Sequence, residues 1–307
     1  MGHMRHDVDE NRRTPEELAV LFDLEPEIKE LIVEGRSDAA LLRWFFSLTA
    51  PEVDLAIFAV QDRVLIESDR VRELGHLPGN RGRVVAAAEI VTMKRPNQIN
   101  GAFVADRDFS ILGLDSCPNC RCLYFTDFTS MELYFFNEKS IKKLLTVTLR
   151  APATIVAADV IESILSTLVN LFKVRAVIRG VEEPTPKLAG KVIDQMKFHG
   201  DGSSSLNPEE AIRKSCKGDI TGLLEKYGEI TIPEGVDVRH FINGHDFSAI
   251  LIRYLQSVCP QVFREERRPL LNAPLFEIAM LTSAEVADLE GTDLFENLAT
   301  FVHGGDE

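Results

Sequence analysis

The sequence predicts an α/β protein: a parallel sheet flanked by helices, followed by a mostly helical C-terminal part. Three observations lead there. Short apolar runs alternate with helical stretches as far as Asp127, the rhythm of a parallel sheet. Two of those runs end directly on an acid, at Glu34 and Asp106. Beyond residue 150 the apolar spacing turns helical.

The elements follow in chain order. Thr14-Pro15-Glu16-Glu17 supplies an N-cap, a proline at the first helical position and early acids, so a short helix runs to Phe22. Ile28 to Val33 is an apolar strand closing on Glu34-Gly35. Ser37 or Asp38 then caps a helix over Ala39–Leu48, whose Leu41, Leu42, Phe45 and Phe46 share a face. Val53–Val60 is a second strand, Asn80–Met93 a helix, and Gly101–Ala105 a buried strand ending at Asp106. Leu123 to Asp127 reads as a further strand, and a helical region begins at Ser130–Phe136. Ala151–Val174 reads as a long helix with Ile155, Val160, Ile164, Leu168 and Leu171 on one face. Gly200 to Ser205 reads as a flexible loop, Asn207-Pro208 restarts a helix, and the chain stays helical to about Leu281 before a frayed end. The expected domains are a core over residues 14–150 and a helical region over 151–303.

Composition bounds the function. Of 307 residues, 45% are hydrophobic and 27% charged, the balance of an ordinary globular protein. With 48 acidic against 34 basic residues the net charge is -14, so nucleic acid would be held by a local basic surface or a partner's. Asp159 and Glu162 interrupt the most apolar stretch, Ala151–Phe172, which argues for a core helix and against a membrane span. Met1-Gly2-His3 reads as a cloning remnant before an expected natural start at Met4, no secretory signal is visible up to Arg13, and the five cysteines read as free thiols. The expected location is cytoplasmic.

Ligands of parallel sheets sit beyond the carboxyl ends of the strands. Glu34 and Asp106, 72 positions apart, are both expected on that rim. Asp106-Arg107-Asp108 places two acids at i and i+2, able to turn toward one hard cation such as Mg²⁺. Glu34 is a further ligand or a general acid/base. The plain alternative for an isolated Asp-x-Asp is a solvated turn; the second strand-end acid weighs against it. Asp127 and Glu132 are candidates for a second metal position, with a helix-start role for Glu132 equally open. Asp38 reads as a cap more than as a ligand.

Val33-Glu34-Gly35-Arg36-Ser37-Asp38 resembles the first motif of TOPRIM domains, and Val104-Ala105-Asp106-Arg107-Asp108-Phe109 resembles the second. A closer resemblance is to a TOPRIM-like family that includes the nuclease subunit of the PARIS anti-phage system and is related to OLD-type nucleases. Thr126-Asp127, Met131-Glu132-Leu133 and Asn243-Gly244-His245-Asp246 resemble later family motifs. The resemblance spans about Glu27 to Gln256. It implies a Mg²⁺-dependent (or Mn²⁺-dependent) nuclease acting on RNA or DNA, with Glu34, Asp106 and Asp108 as catalytic and metal residues. It also implies an OLD- or ABC-like ATPase partner and a role in antiviral defence. None of the four tyrosines sits in a nucleophile context, so topoisomerase activity is not expected.

Other features carry weaker readings. Cys117, Cys120 and Cys122 form one thiol cluster, and zinc would need further ligands such as His240 and His245. Gly79-Asn80-Arg81-Gly82-Arg83 and Lys94-Arg95 offer either a phosphate cradle or a solvated basic face. Arg264–Arg268 reads as a self-paired surface stretch, and His245-Asp246 as an oriented imidazole or a helix cap. A homodimer through Ala151–Val174 and a non-catalytic scaffold are the remaining alternatives.

Overall fold

The structure is a computed structural model and describes residues 11–25, 27–95, 100–179, 196–199, 203–216 and 220–304. These group into two units. One comprises the described residues of 1–107, 116–127 and 289–307, the other those of 108–115 and 128–288.

The first unit opens with helix α1 (Pro15–Leu24). Thr14 caps it through its hydroxyl while Glu17 reaches back to the Thr14 N–H, the reciprocal pair that satisfies two otherwise orphaned donors. Strand β1 (Lys29–Val33), helix α2 (Arg36–Thr49), strand β2 (Leu55–Ala59), the short helices α3 (Val60–Arg63) and α4 (Ser68–Glu73), helix α5 (Asn80–Lys94), and strands β3 (Gly101–Ala105) and β4 (Leu123–Phe125) follow. All strand pairs are parallel, in the order β2-β1-β3-β4. The chain steps from β1 to one side, then crosses to the other at β3, so the strand order reverses between β1 and β3.

Strand burial explains the sequence pattern. Every residue of β3 and all of β1 after Lys29 are buried, which requires continuous apolar runs. Ile32, Phe103 and Ala105 join one core cluster with Leu18 and Phe22 of α1 and Val84, Val91 and their neighbours in α5. Strand alternation sends Leu31, Val33, Ala102 and Val104 to the other face. There α2 packs on β1 and β2, with Phe45 edge-on to Phe295 at 4.7 Å between centroids. Phe295 belongs to the C-terminal helix (Asp293–His303), whose last turn receives Lys29 Nζ at the carbonyls of Phe301 and Val302 (3.2 and 2.6 Å). Glu30 of β1 is compensated by Arg63, which donates two hydrogen bonds to its carboxylate (2.9 and 2.6 Å).

The second unit contains the 3₁₀ turn Met131–Phe135, helix α6 (Glu138–Lys143), and the long helix α7 (Ala157–Arg179). It continues with the antiparallel hairpin β5 (Met196–Phe198) and β6 (Ser204–Leu206), then α8 (Pro208–Ser215), α9 (Thr221–Glu229), α10 (Gly244–Val258) and α11 (Ala273–Leu281). Four expectations change here. The Ser130–Phe136 region is a 3₁₀ turn rather than an α-helix start. The long helix begins at Ala157, not Ala151, because a π turn at Leu144–Thr148 and a left-handed Arg150 (φ 49°) redirect the chain ahead of it. Ser204 and Ser205, expected in a loop, pair with Phe198 and Lys197, and Ser204 Oγ donates to Ser163 O of α7 (2.8 Å); residues 200–202 of that loop lie outside the described residues. The stretch 264–268 is not self-paired throughout, since Glu266 pairs with Arg150 at 3.6 Å. The α7 face carrying Val160, Ile164, Leu168 and Leu171 is buried within the unit, as a core helix requires. Among the described residues no helix is long and apolar enough to cross a membrane.

Candidate functional site

Glu34 and Asp106 extend β1 and β3 by one residue each, at the carboxyl ends of the two strands where the order reverses. That is where open parallel sheets place their ligands, because the connections diverge and leave a crevice. The register aligns Val33 with Val104. The Asp106 N–H then donates to Glu34 Oε1 at 2.7 Å. A backbone donor on a carboxylate oxygen fixes both the carboxylate and the loop that carries the second acid.

The rest of the loop is held as firmly. The Asp106 carbonyl accepts from Arg81 Nε (2.7 Å), and Arg81 Nη2 donates to the Ser116 carbonyl (2.8 Å). Arg81 lies near the N-terminus of α5, over the Phe125 ring. At this residue the guanidinium is a brace between two loops. Arg95, at the other end of α5, pairs with Asp23 at 2.7 Å. Arg107 donates from its N–H to Thr126 Oγ1 (3.1 Å) and from Nε to the Thr126 carbonyl (2.6 Å), tying the ends of β3 and β4 together.

Asp38 serves α2 as a cap. The helix starts at Arg36 with Gly35 at the N-cap, not Ser37 or Asp38, and Asp38 Oδ2 accepts from the Gly35 N–H at 2.8 Å. Asp127 Oδ2 accepts from the Leu294 N–H at 3.3 Å, capping the C-terminal helix, whose own N-cap Thr292 makes no capping bond and turns its hydroxyl to the Leu289 carbonyl.

Asp108 and Glu132 belong to the second unit. Asp108 has φ 47°, and its N–H donates to the Thr129 carbonyl (2.9 Å). A left-handed aspartate costs roughly 1 kcal/mol, and such strain concentrates at functional loops. Glu132 lies in the 3₁₀ turn, its Oε2 buried without a hydrogen-bond partner, and Ser130 Oγ is in the same condition. Both press on Gly244 at the start of α10, where a Cβ would come within 2.0 Å of Ser130 Oγ and 2.6 Å of Glu132 Oε2. Glu132 Oε1 stands 3.8 Å from His245 Nδ1. Burial pushes the Glu277 carboxyl up, with the Glu132 charge adding to it, while a hydrogen bond from Ser248 pulls it back. Asp246 does not orient His245: it is buried and its carboxylate takes both hydrogen bonds of Arg175.

The donor set fits Mg²⁺ in kind. Carboxylate oxygens are its ligands, and within the first unit Glu34 and Asp106 are brought together. Among the described residues no group of three or more metal-binding side chains is gathered. The thiol cluster divides by environment, with Cys117 exposed and Cys122 buried in the core against Thr92, its thiol pushed up to about 11 by burial.

His76, Glu89 and Glu277 gave no sign of their contacts in the sequence, because their partners lie 13 or more positions away. Only the Gly-rich start of α5 hinted at Arg81. A comparison with protein-family models finds no match for this chain, and neither does a comparison with curated proteins.

Proposed function

We propose that the chain is a TOPRIM-like, Mg²⁺-dependent nuclease hydrolysing phosphodiesters in RNA or DNA, with Glu34, Asp106 and Asp108 as its working acids. The observation that carries this reading is the Asp106 N–H···Glu34 Oε1 bond at the strand-order reversal. It is supported by the left-handed Asp108 directly after it, and by the motif resemblance of both segments.

Asp106 and Asp108 would hold the cation, with Glu34 as a further ligand or as the acid/base, and Asp127 and Glu132 as second-tier candidates. When bound, Mg²⁺ supplies charge neutralisation at the phosphate and lowers the pKa of water. The chain's part is positional. The Glu34 carboxylate, fixed by the Asp106 N–H, receives the proton of the attacking water. The water oxygen bonds to phosphorus as the P–O bond to the leaving nucleoside breaks, the departing oxygen takes a proton from solvent, and Glu34 releases the proton it received. Arg81 and Arg107 keep the acid-bearing loop from shifting, which matters because misplacement of about 1 Å is worth about 100-fold in rate.

A second reading is an effector held inactive by an ATPase partner, and the net charge of -14 favours it, since such a surface repels nucleic acid. The test incubates the full chain with single- and double-stranded RNA and DNA in Mg²⁺ or Mn²⁺, beside Glu34→Gln and Asp106→Asn. Cutting that falls at least ~100-fold in both variants, about 2.7 kcal/mol of barrier, supports the nuclease. Equal cutting by correctly folded variants removes these residues from the mechanism. Cutting seen only when an ATPase partner is added favours the second reading.

A further inference from the structure

His76 is a buried imidazole of the first unit, its side chain 6% exposed. Its Nε2 lies 2.7 Å from Glu89 Oε2, and its Nδ1 lies 3.4 Å from Ser116 Oγ. The tautomer with its ring hydrogen on Nε2 satisfies the Glu89 carboxylate, which accepts. In that tautomer Nδ1 is an acceptor directed at a serine hydroxyl. Ser116 is exposed. Its backbone is anchored by Arg81, which donates to the Ser116 carbonyl and brings a guanidinium beside the residue. A hydroxyl, an imidazole and a carboxylate in series, the hydroxyl open to solvent and the imidazole shielded, is the arrangement that makes serine a nucleophile. A serine–imidazole contact at the long end of hydrogen-bond range is ordinary before substrate binds.

We propose that Ser116, His76 and Glu89 form a nucleophilic site for carboxylic esters and related acyl or phosphoryl electrophiles, on the loop that Arg81 ties to the Asp106 carbonyl and built from side chains other than the strand-end carboxylates. Ser116 Oγ bonds to the acyl carbon and passes its proton to His76 Nδ1. The C–O bond to the alcohol then breaks, and Nδ1 returns the proton to the departing alkoxide. Water repeats the sequence on the acyl-serine, releasing the acid and restoring Ser116. Glu89 holds the tautomer and balances the imidazolium that forms; it is a positioning residue.

The experiment treats the full chain with a fluorophosphonate probe, which bonds phosphorus to Oγ and expels fluoride, and maps the adduct by peptide mass spectrometry. The expected result is one adduct, on Ser116, absent in Ser116→Ala and formed at least ~100-fold more slowly in His76→Gln, with Glu89→Gln between. Melting curves establish that the variants are folded. A folded wild type without a Ser116 adduct, or an unchanged rate in His76→Gln, overturns the proposal and leaves a polar strap between the loop and α5. Should His76→Gln not fold, Ser116→Cys replaces it. Its thiol is expected to react with iodoacetamide faster than neighbouring Cys117 on the same peptide, and an equal or slower reaction overturns the proposal.

Discussion

Replacing Arg63 by methionine should cost far more stability than any surface ion pair. Arg63 and Glu30 are 9% and 5% exposed in their side chains, and Glu30 sits inside β1 with buried residues following it. The guanidinium gives Glu30 two hydrogen bonds, donates from Nη1 to the Asn11 carbonyl at 2.6 Å, and lies over the Phe58 ring. Removing it leaves a carboxylate buried without its counter-charge, which costs about 3–5 kcal/mol. Against a total stability of roughly 5–15 kcal/mol this is a large share. At about 2–4 °C per kcal/mol, the melting temperature should fall by roughly 10 °C. Methionine at both positions removes the stranded charge together with its partner, so Arg63→Met/Glu30→Met should recover most of the loss. Thermal and urea unfolding of wild type, both single variants and the double variant complete the cycle. A single-variant cost below about 1 kcal/mol, or a double variant no better than Arg63→Met, would refute the account of this pair.

Three more outcomes follow from the geometry. Gly101→Ala should destabilise by about 1–3 kcal/mol, because its Cβ would stand 2.3 Å from the Phe22 ring; Phe22→Leu in the same chain should return part of the loss in a melting assay. Arg81→Lys should lower cutting by ~10–100-fold, an outer-shell effect, with the melting temperature nearly unchanged, because an ammonium cannot span the Asp106 and Ser116 carbonyls as the guanidinium fork does. Unchanged cutting by Arg81→Lys would remove its bracing role. Burial raises the Cys122 thiol to about 11, above its unfolded value of about 8.5, so the folded state holds this proton more tightly. Its contribution is complete below pH ~8.5 and is lost as pH rises toward 11. Denaturant midpoints at pH 8 and 10.5 should therefore fall more steeply in wild type than in Cys122→Ala.

By itself the sequence determined the local elements. β1 and β3 were legible because strands buried on both faces must be continuous apolar runs, and their terminal acids stood out against them. α1 was legible from its cap, since Thr14 and Glu17 lie three residues apart and need nothing else. The start of α7 was not, because Ile155 continues the apolar spacing although the chain is still turning there. Asp246 was misread because its neighbour His245 is next in sequence, while its actual partner Arg175 is 71 residues away. Only the tertiary structure decided that β3 returns beside β1, which puts the Glu34 carboxylate on the Asp106 N–H. It alone sends Asp127 to cap a helix 167 residues downstream, and sets His76 between Glu89 and Ser116. Caps and periodicity are satisfied within a turn or two of chain and leave their mark on adjacent residues. Partners across a sheet are chosen only when the whole set of strands and helices closes over its core, and no neighbouring residue records that choice.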